Sequence, residues 1–316
     1  MFKVDEYFDE CKIIKVSNTQ SGESFSFYPE FAGNIFSLKL KSKNGLLIDL
    51  IDGYENKAEL EKNEAYKSSM LFPFAGRIPD GKYKFDGEQY QFEIDEPDTN
   101  SALHGFFHGR KFTLDKVIEE DGKIKLVLVN SYNSERKAYP FNLNLELNYI
   151  FGNNGLEYRI KIKNNGDKKA PASYGWHPYF KLAKSIDELF LEIDAEKEIN
   201  LDHRTFVPDG SIKENPFKNE QIRIVDKELD NVFKFESDAK IRATHLVNKK
   251  KNIALKLWQE TGADKFNYLI IFTPPQRESI AIEPITSNIN SFNNKEGLII
   301  LQPDETFSAG FGLKLE

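Results

Sequence analysis

The 316-residue chain contains a single cysteine, Cys11, so no disulfide can form within it. It also lacks an apolar run of the roughly 18 residues that a membrane-spanning helix needs. The first stretch, MFKVDEYFDECKIIKV (1–16), is acidic and has no apolar core of a secretory signal. We therefore expect a cytoplasmic protein with no membrane association.

Basic blocks are missing as well. The formal net charge is −7, and no cluster of lysine and arginine stands out along the chain. Proteins that bind nucleic acids neutralise phosphates with such clusters, so a nucleic-acid partner is not expected. A neutral small molecule suits this charge, although the charge does not require one.

Helical periodicity is scarce, and strands alternating regularly with helices are absent. Apolar residues instead recur at every second position, as in FNLNLELNY (141–149), which is typical of a half-buried antiparallel strand. The 26 Phe and 13 Tyr also favour strands. Only ENKAELEKNEAY (55–66) could form a short helix, or a loop. We predict one all-β domain over residues 1–316, a large antiparallel β-sandwich with few short helices.

Two hairpins are visible in the sequence. GNNG (152–155) separates the strand at 141–149 from a second alternating stretch that begins at Leu156. In KYKFDGEQYQFEI (82–94), Asp86 and Gly87 supply the pair of positive-φ residues that a tight turn needs.

Two of the five histidines, His104 and His108, lie four positions apart in SALHGFFHGRKF (101–112). A helical H-E-x-x-H zinc site needs a helix and a glutamate after the first histidine, but here Gly105 follows His104. We therefore expect no metal at this pair. His108, His203 and His245 are interpreted as structural or surface residues.

His177 lies in SYGWHPYF (173–180), among aromatic residues that include Trp176. Aromatic rings beside a polar group are typical of a sugar site, where a ring such as that of Trp176 would contact the substrate. A core cluster of a β protein would have the same composition, so both interpretations stay open. Arg77 in FPFAGRIPDGKY (72–83) and Glu283 in SIAIEPITSN (279–288) are further candidates. Pro284 predicts that Glu283 lies at the end of a strand.

These stretches together resemble the aldose 1-epimerases, the galactose mutarotase family. The matching motifs are AGRIPDGKYKFDGEQYQ, SALHG, HPYF, ELDNVF (228–233) and IAIEP, in the family's order between about residues 70 and 310. LIILQPDETFSAGFGL (298–313) is similar to the family's closing strands.

The resemblance implies an isomerase that interconverts the α and β anomers of a monosaccharide. Glu283 would be the base, His177 the acid, and His104 a hydrogen-bonding assistant, while Arg77 and Asp230 would bind the sugar. A base takes the proton of the anomeric hydroxyl while an acid protonates the ring oxygen. The ring then opens, the C1–C2 bond rotates, and closure reverses the transfers. This chemistry requires neither a metal nor an organic cofactor.

The segment around the second histidine departs from the family pattern. Well-studied mutarotases have an Asn-His-Thr-Tyr-Phe type of segment, whereas this chain has GWHPYF (175–180). The natural sugar therefore stays open, and the sequence carries no signal for the oligomeric state. Two alternatives are a hexose-phosphate epimerase, with Arg110, Lys111 and Arg136 as available cations, and a carbohydrate-binding protein without catalysis.

Overall fold

A computed structural model describes residues 1–152, 155–236 and 238–316. The strands of the first half of the chain are β1 (Phe2–Asp9), β2 (Cys11–Asn18), β3 (Ser24–Tyr28), β4 (Asn34–Lys41), β5 (Leu47–Asp49), β6 (Ser69–Leu71), β7 (Arg77–Pro79), β8 (Lys82–Phe85), β9 (Glu88–Gln91), β10 (Ser101–Leu103), β11 (Thr113–Glu120), β12 (Lys123–Asn133), β13 (Asn142–Gly152) and β14 (Gly155–Asn164).

The second half contributes β15 (Ala170–Ala172), β16 (Gly175–His177), β17 (Tyr179–Phe180), β18 (Phe190–Ile193), β19 (Lys197–Leu201), β20 (Pro208–Glu214), β21 (Ile222–Arg223), β22 (Asp230–Lys234), β23 (Ile241–Asn248), β24 (Ile253–Glu260), β25 (Tyr268–Phe272), β26 (Ile280–Ile285), β27 (Ile299–Leu301) and β28 (Thr306–Leu315). Helices are short: α1 (Lys57–Lys62), α2 (Ser291–Asn294) and the 3₁₀ turns Pro29–Phe31, Pro97–Thr99 and Ile186–Glu188.

Three large sheets dominate the described residues. A nine-stranded sheet has the order β11-β12-β13-β14-β28-β24-β23-β18-β21, and a five-stranded sheet runs β1-β2-β3-β4-β5. An eight-stranded sheet has the order β20-β19-β22-β25-β26-β16-β6, with β17 also paired to β26. The pairs within all three sheets are antiparallel. The predicted all-β antiparallel fold with few short helices is therefore confirmed.

The predicted strands form where the alternation is clearest. In β13, Leu143, Leu145, Leu147 and Tyr149 are buried, and β13 pairs with β14 as a hairpin. The two central residues of the GNNG turn lie outside the described residues. In the other hairpin, β8 pairs with β9, and Asp86 and Gly87 both adopt positive φ, 51° and 88°.

The stretch at 55–66 forms helix α1 over only Lys57–Lys62. Asn56 caps it by accepting a hydrogen bond from the Glu59 amide, and the left-handed Asn63 ends it. The remaining residues up to Tyr66 form the loop that enters the site described below.

A single large cluster of buried apolar side chains runs from Ile14 to Leu315. Phenylalanine and tyrosine fill much of it, and Cys11 is buried in a separate small cluster. Among the described residues, no helix is long and apolar enough to cross a membrane.

Candidate active site

A cavity of about 580 Å³ opens beside the eight-stranded sheet. Five of the six predicted site residues line it: Arg77, His104, His177, Asp230 and Glu283. They come from β7, the loop after β10, β16, β22 and β26 respectively. The antiparallel pairings of the chain therefore bring residues that are up to 206 positions apart in sequence to one concave surface.

Glu283 lies inside β26 and not at its end. Pro284 pairs with Leu269 of β25, and the strand continues to Ile285, so the expected strand terminus was wrong. On the other edge of β26, β16 pairs only at Ile285 and β17 only at Ile280 and Ala281. Pro284 lies opposite the gap between β16 and β17, where no ladder partner requires its missing N–H.

His177 and Glu283 form a buried pair in the cavity. His177 Nε2 lies 3.2 Å from Glu283 Oε1, and both side chains are almost fully buried, at 8% and 2% exposure. Within the described residues, His177 Nδ1 and Glu283 Oε2 have no hydrogen-bond partner. Buried polar atoms are nearly always hydrogen-bonded, so two unpartnered atoms in one buried pair favour a functional role for the pair over a structural one.

Burial shifts the pKa values of the two side chains in opposite directions. It lowers the pKa of His177 to about 4. Burial, assisted by the charge of Asp230 and opposed by Arg77, raises the pKa of Glu283 well above 4.5. Loss of water disfavours the charged form of each group. Burial therefore favours an uncharged carboxylic acid beside an uncharged imidazole.

His104 is held by its backbone and by its ring. Its φ is 58°, and Gly105 after it has a φ of 71°, so the chain makes two consecutive left-handed residues. His104 Nδ1 accepts a hydrogen bond from the Gly76 amide at 3.1 Å. Burial holds the pKa of His104 well below 6.5, with further lowering by His177 and Arg77. The ring is thus neutral, and we assign its proton to Nε2.

The loop after β10 requires glycine at position 105, and this requirement can be measured. A Cβ at Gly105 would overlap the carbonyl oxygen of Phe72, and its left-handed backbone adds strain. Gly105→Ala should lower the free energy of unfolding by about 2–4 kcal/mol in urea denaturation. The matched control is Gly122→Ala, which has the same φ of 71° but open space around its Cβ. Gly122→Ala should lose only the part of the free energy of unfolding that backbone strain accounts for. Equal losses in the two variants would contradict the steric explanation.

Arg77 is fixed in the cavity wall by a carboxylate. Its Nε and Nη2 donate to Glu96 at 2.6 and 2.7 Å, and its guanidinium lies 4.8 Å from the ring centre of Phe206. Burial alone would raise the pKa of Glu96, but hydrogen bonds from Arg77 and Thr99 hold it below its ordinary value. Such bidentate pairs are rigid, so the guanidinium presents its remaining N–H groups in one orientation.

Asp230 begins β22 and is accessible from the cavity. Many protein atoms nevertheless surround it, and this desolvation raises the pKa of its carboxyl group, with Arg77 opposing and Glu96 adding to the shift. A carboxylate beside a fixed guanidinium gives the wall both an acceptor and donors for hydroxyl groups.

Trp176 is the predicted site residue that the structure places elsewhere. Its ring is 2% exposed, stacks on Phe311 at 5.3 Å, and donates from Nε1 to the Ser68 carbonyl at 3.1 Å. It does not line the cavity. Neighbouring residues of a strand point to opposite faces, so His177 in the cavity places Trp176 in the core.

Sequence reasoning missed four aromatic and charged residues of the wall. Tyr179 stacks on His177 at 5.2 Å, and the Tyr66 ring lies 4.7 Å from that of His104. Lys67 and Asp52 form an ion pair at 3.1 Å in the same cavity. The alternation in HPYF could have found Tyr179, because it lies two positions after His177. Tyr66, Lys67 and Asp52 carry no local signal.

The remaining candidates lie away from this cavity. His108 lines a second cavity, where burial lowers its pKa to about 4. Arg110 pairs with Glu135 and Lys111 with Glu30, and Arg136 lies over the ring of Phe106. In residues 1–152, 155–236 and 238–316, no group of three or more His, Cys, Asp and Glu has the arrangement of a metal site.

Solved structures share this fold. A galactose mutarotase-like protein from Clostridium acetobutylicum superimposes with a TM-score of 0.88 at 22% identity, covering 100% of this chain and 98% of the other. A galactose 1-epimerase from Lactobacillus acidophilus gives a TM-score of 0.76 at 19% identity, with the same coverage. At these identities the similarity establishes the fold alone.

Sequence comparison extends the similarity. The uncharacterized protein YihR of Escherichia coli (strain K12) is 26% identical over 247 residues, 75% of each chain. Human galactose mutarotase is 27% identical over 192 residues, which span 56% of this chain and about half, 51%, of that protein. The family model for aldose 1-epimerase matches residues 20–314. Because that match covers nearly the whole chain, the protein belongs to the aldose 1-epimerase family.

Proposed function

We propose that the protein is an isomerase that interconverts the α and β anomers of an unphosphorylated reducing sugar by acid–base ring opening. One observation carries the proposal: His177 Nε2 and Glu283 Oε1 are 3.2 Å apart in a buried cavity. Anomer exchange moves protons at the anomeric and ring oxygens, which are both bonded to C1. An acid and a base that act on neighbouring oxygens must themselves be neighbours, as these two groups are.

The reaction begins with the carboxylate of Glu283 and the imidazolium of His177. Glu283 takes the proton of the anomeric hydroxyl, the C1–O bond to the ring oxygen breaks, and His177 donates its proton to that oxygen. The products are an open-chain aldehyde, protonated Glu283 and neutral His177. Rotation about C1–C2 exposes the other face of the carbonyl group, and the reverse transfers close the ring as the other anomer.

The pKa shifts suit this cycle. The neutral pair that burial favours and the reactive carboxylate–imidazolium pair hold the same number of protons. They differ only by one proton transfer between Glu283 Oε1 and His177 Nε2. Arg77 favours the carboxylate form of Glu283, and a bound sugar's hydroxyls would replace the water that burial removes. The pair therefore needs no proton from solvent to enter the reactive state.

The other wall residues bind and orient the sugar. His104, neutral and protonated on Nε2, donates a hydrogen bond to the anomeric or ring oxygen as charge develops there. Arg77 donates to a ring hydroxyl, and Asp230 accepts from another. The position of these three residues in the same cavity as the acid and the base supports these roles.

The charges of the cavity support an unphosphorylated substrate. Arg77 and Lys67 are the cations among its described lining residues, and each is paired with a carboxylate, Glu96 and Asp52. Besides Glu283, three further carboxyl groups, of Glu64, Asp230 and Glu278, line the cavity. A phosphate dianion would meet excess negative charge and no free cation, so a hexose phosphate is disfavoured.

The test follows the anomer ratio of freshly dissolved α-glucose and α-galactose by polarimetry or NMR, in weak buffer near pH 7. Acceleration of either exchange in proportion to protein concentration supports the proposal. The same assay with glucose 6-phosphate tests the hexose-phosphate alternative. Sugar binding without acceleration of any exchange would show a carbohydrate-binding protein and overturn the proposal.

The pH dependence of kcat/KM is expected to be bell-shaped, with its acidic limb near pH 4. As pH falls through the lowered pKa of His177, about 4, the pair gains a second proton and no base remains. As pH rises through the raised pKa of Glu283, the pair loses its shared proton and no acid remains. Initial rates with buffer blanks, and circular dichroism at each pH, measure this. An acidic limb near the ordinary imidazole value of about 6.5 would contradict it.

A further inference from the structure

A second polar group lies in the cavity that the proposed mechanism does not use. Lys67 Nζ donates to Asp52 Oδ1 at 3.1 Å, and Ser279 Oγ donates to Asp52 Oδ2 at 2.7 Å. Lys67 and Asp52 are both half-buried, at 26% and 24% exposure. Among the described residues, the ammonium group has no hydrogen-bond acceptor besides Asp52, so it retains free N–H donors.

This pair is built into the fold. The Asp52 amide donates to the Tyr179 carbonyl at 2.9 Å, and the Lys67 amide donates to the Tyr54 hydroxyl at 3.2 Å. Ser279 is 3% exposed and directly precedes β26. The Lys161–Glu146 ion pair, by contrast, lies outside the cavity at 45% and 32% side-chain exposure, and such solvent-accessible pairs contribute little. A pair held from three segments at a cavity wall is preorganised for a ligand.

The pair lies in line with the acid and the base. Ser279 precedes Glu283 by four residues, a distance of about 13 Å along extended backbone. Halfway between them, Ala281 of β26 pairs with Tyr179, whose ring stacks on His177. The cavity wall is therefore a row: the His177–Glu283 pair, then the ring of Tyr179, then the Lys67–Asp52 pair. This row is longer than one pyranose.

The row also runs from the floor of the cavity to its mouth. His177 and Glu283 are buried, whereas Pro275, Gln276 and Glu278 on the same side as Ser279 are exposed. With its anomeric carbon at Glu283, a sugar that lies along this row directs its opposite side toward these exposed residues. A substituent on that side, such as a 1,4-linked second ring, would leave the floor and pass Tyr179.

We propose that Tyr179, Lys67 and Asp52 form a second subsite, which binds the next unit of a reducing saccharide beyond the ring that opens. This inference rests on the proposed function. The apolar face of the second ring packs on Tyr179, Lys67 donates to one hydroxyl, and Asp52 accepts from its neighbour. Because the two charges cancel, the subsite suits a neutral polyol.

The test compares kcat/KM for anomer exchange of glucose with that of the 1,4-linked glucose disaccharides maltose and cellobiose. In the wild type, at least one disaccharide should exceed glucose by about tenfold, the effect of one hydrogen bond to a charged group. Lys67→Met should remove this advantage through a higher KM, since it deletes binding and not proton transfer. Lys67→Arg, which keeps the charge, should retain part of it.

Lys161→Met, which breaks an ion pair with Glu146 outside the cavity, is the matched control and should keep the wild-type ratio. Glucose at least as good a substrate as both disaccharides would overturn the subsite. Equal losses for glucose and disaccharide in Lys67→Met would also overturn it, since they place Lys67 at the first ring. A wild type that accelerates no exchange refutes the proposed function instead. Calorimetric titration with cellobiose would then test the subsite alone, and equal affinity in wild type and Lys67→Met would refute it.

Discussion

Glu283→Gln is expected to lower kcat/KM for anomer exchange by about a thousandfold, within the range typical of a lost general base. Glutamine has nearly the same shape as glutamic acid, but its amide cannot take a proton from the anomeric hydroxyl. The substitution should leave the fold intact, because burial already favours the uncharged form of Glu283. Initial rates by polarimetry and the free energy of unfolding in urea measure the two effects separately.

The control for Glu283→Gln is the same exchange at an exposed carboxylate, Glu119→Gln on β11, which should retain wild-type rates. Sugar binding to Glu283→Gln, measured by calorimetry, should survive, because Arg77, His104 and Asp230 remain. A variant that binds sugar and exchanges anomers at the wild-type rate would show that Glu283 is not the base.

The strands and two of the sequence's hairpins could be predicted because their signals are local. The alternation in β13 requires only that one face be buried, and the turn at Asp86 and Gly87 requires only two residues with positive φ. The length of helix α1 was less predictable. Asn56 caps it and Asn63 ends it within two turns, although the helix-favouring residues extend further.

The meeting of His177 and Glu283 could not be derived from local patterns. It depends on β16, β17 and β26 lying side by side, with pairings between residues 100 to 110 positions apart. No spacing within one segment encodes such a register. The family resemblance supplied these residues as a set, but it supplied neither their 3.2 Å separation nor their opposite pKa shifts.

The misplacement of Trp176 has a simple physical origin. The type of an aromatic residue beside a histidine is compatible with a sugar contact and with a core position, whereas the strand alternation decides which way it points. By the same rule Tyr179, two residues after His177, shares its side and reaches the cavity. The prediction that Pro284 ends the strand was wrong for a similar reason. A proline ends a ladder only where a partner strand needs its N–H.

His177→Asn is expected to lower kcat/KM by about a hundredfold to a thousandfold, since the ring oxygen then receives its proton from water. Asparagine keeps a side-chain N–H donor but cannot carry the transferred proton near neutral pH. His203→Asn, at an exposed histidine outside the cavity, is the matched control and should retain wild-type rates. Polarimetry with glucose and galactose measures the loss.

The double variant Glu283→Gln/His177→Asn distinguishes one proton-transfer unit from two independent contributors. If the acid and the base act on the same bond cleavage, removing either one disables the concerted step, and removing both costs little more than Glu283→Gln alone. Losses that multiply, to about 10⁵-fold or more, would mean that each residue stabilises the transition state separately. That outcome would contradict a shared proton between Nε2 and Oε1, and with it the mechanism derived from their 3.2 Å contact.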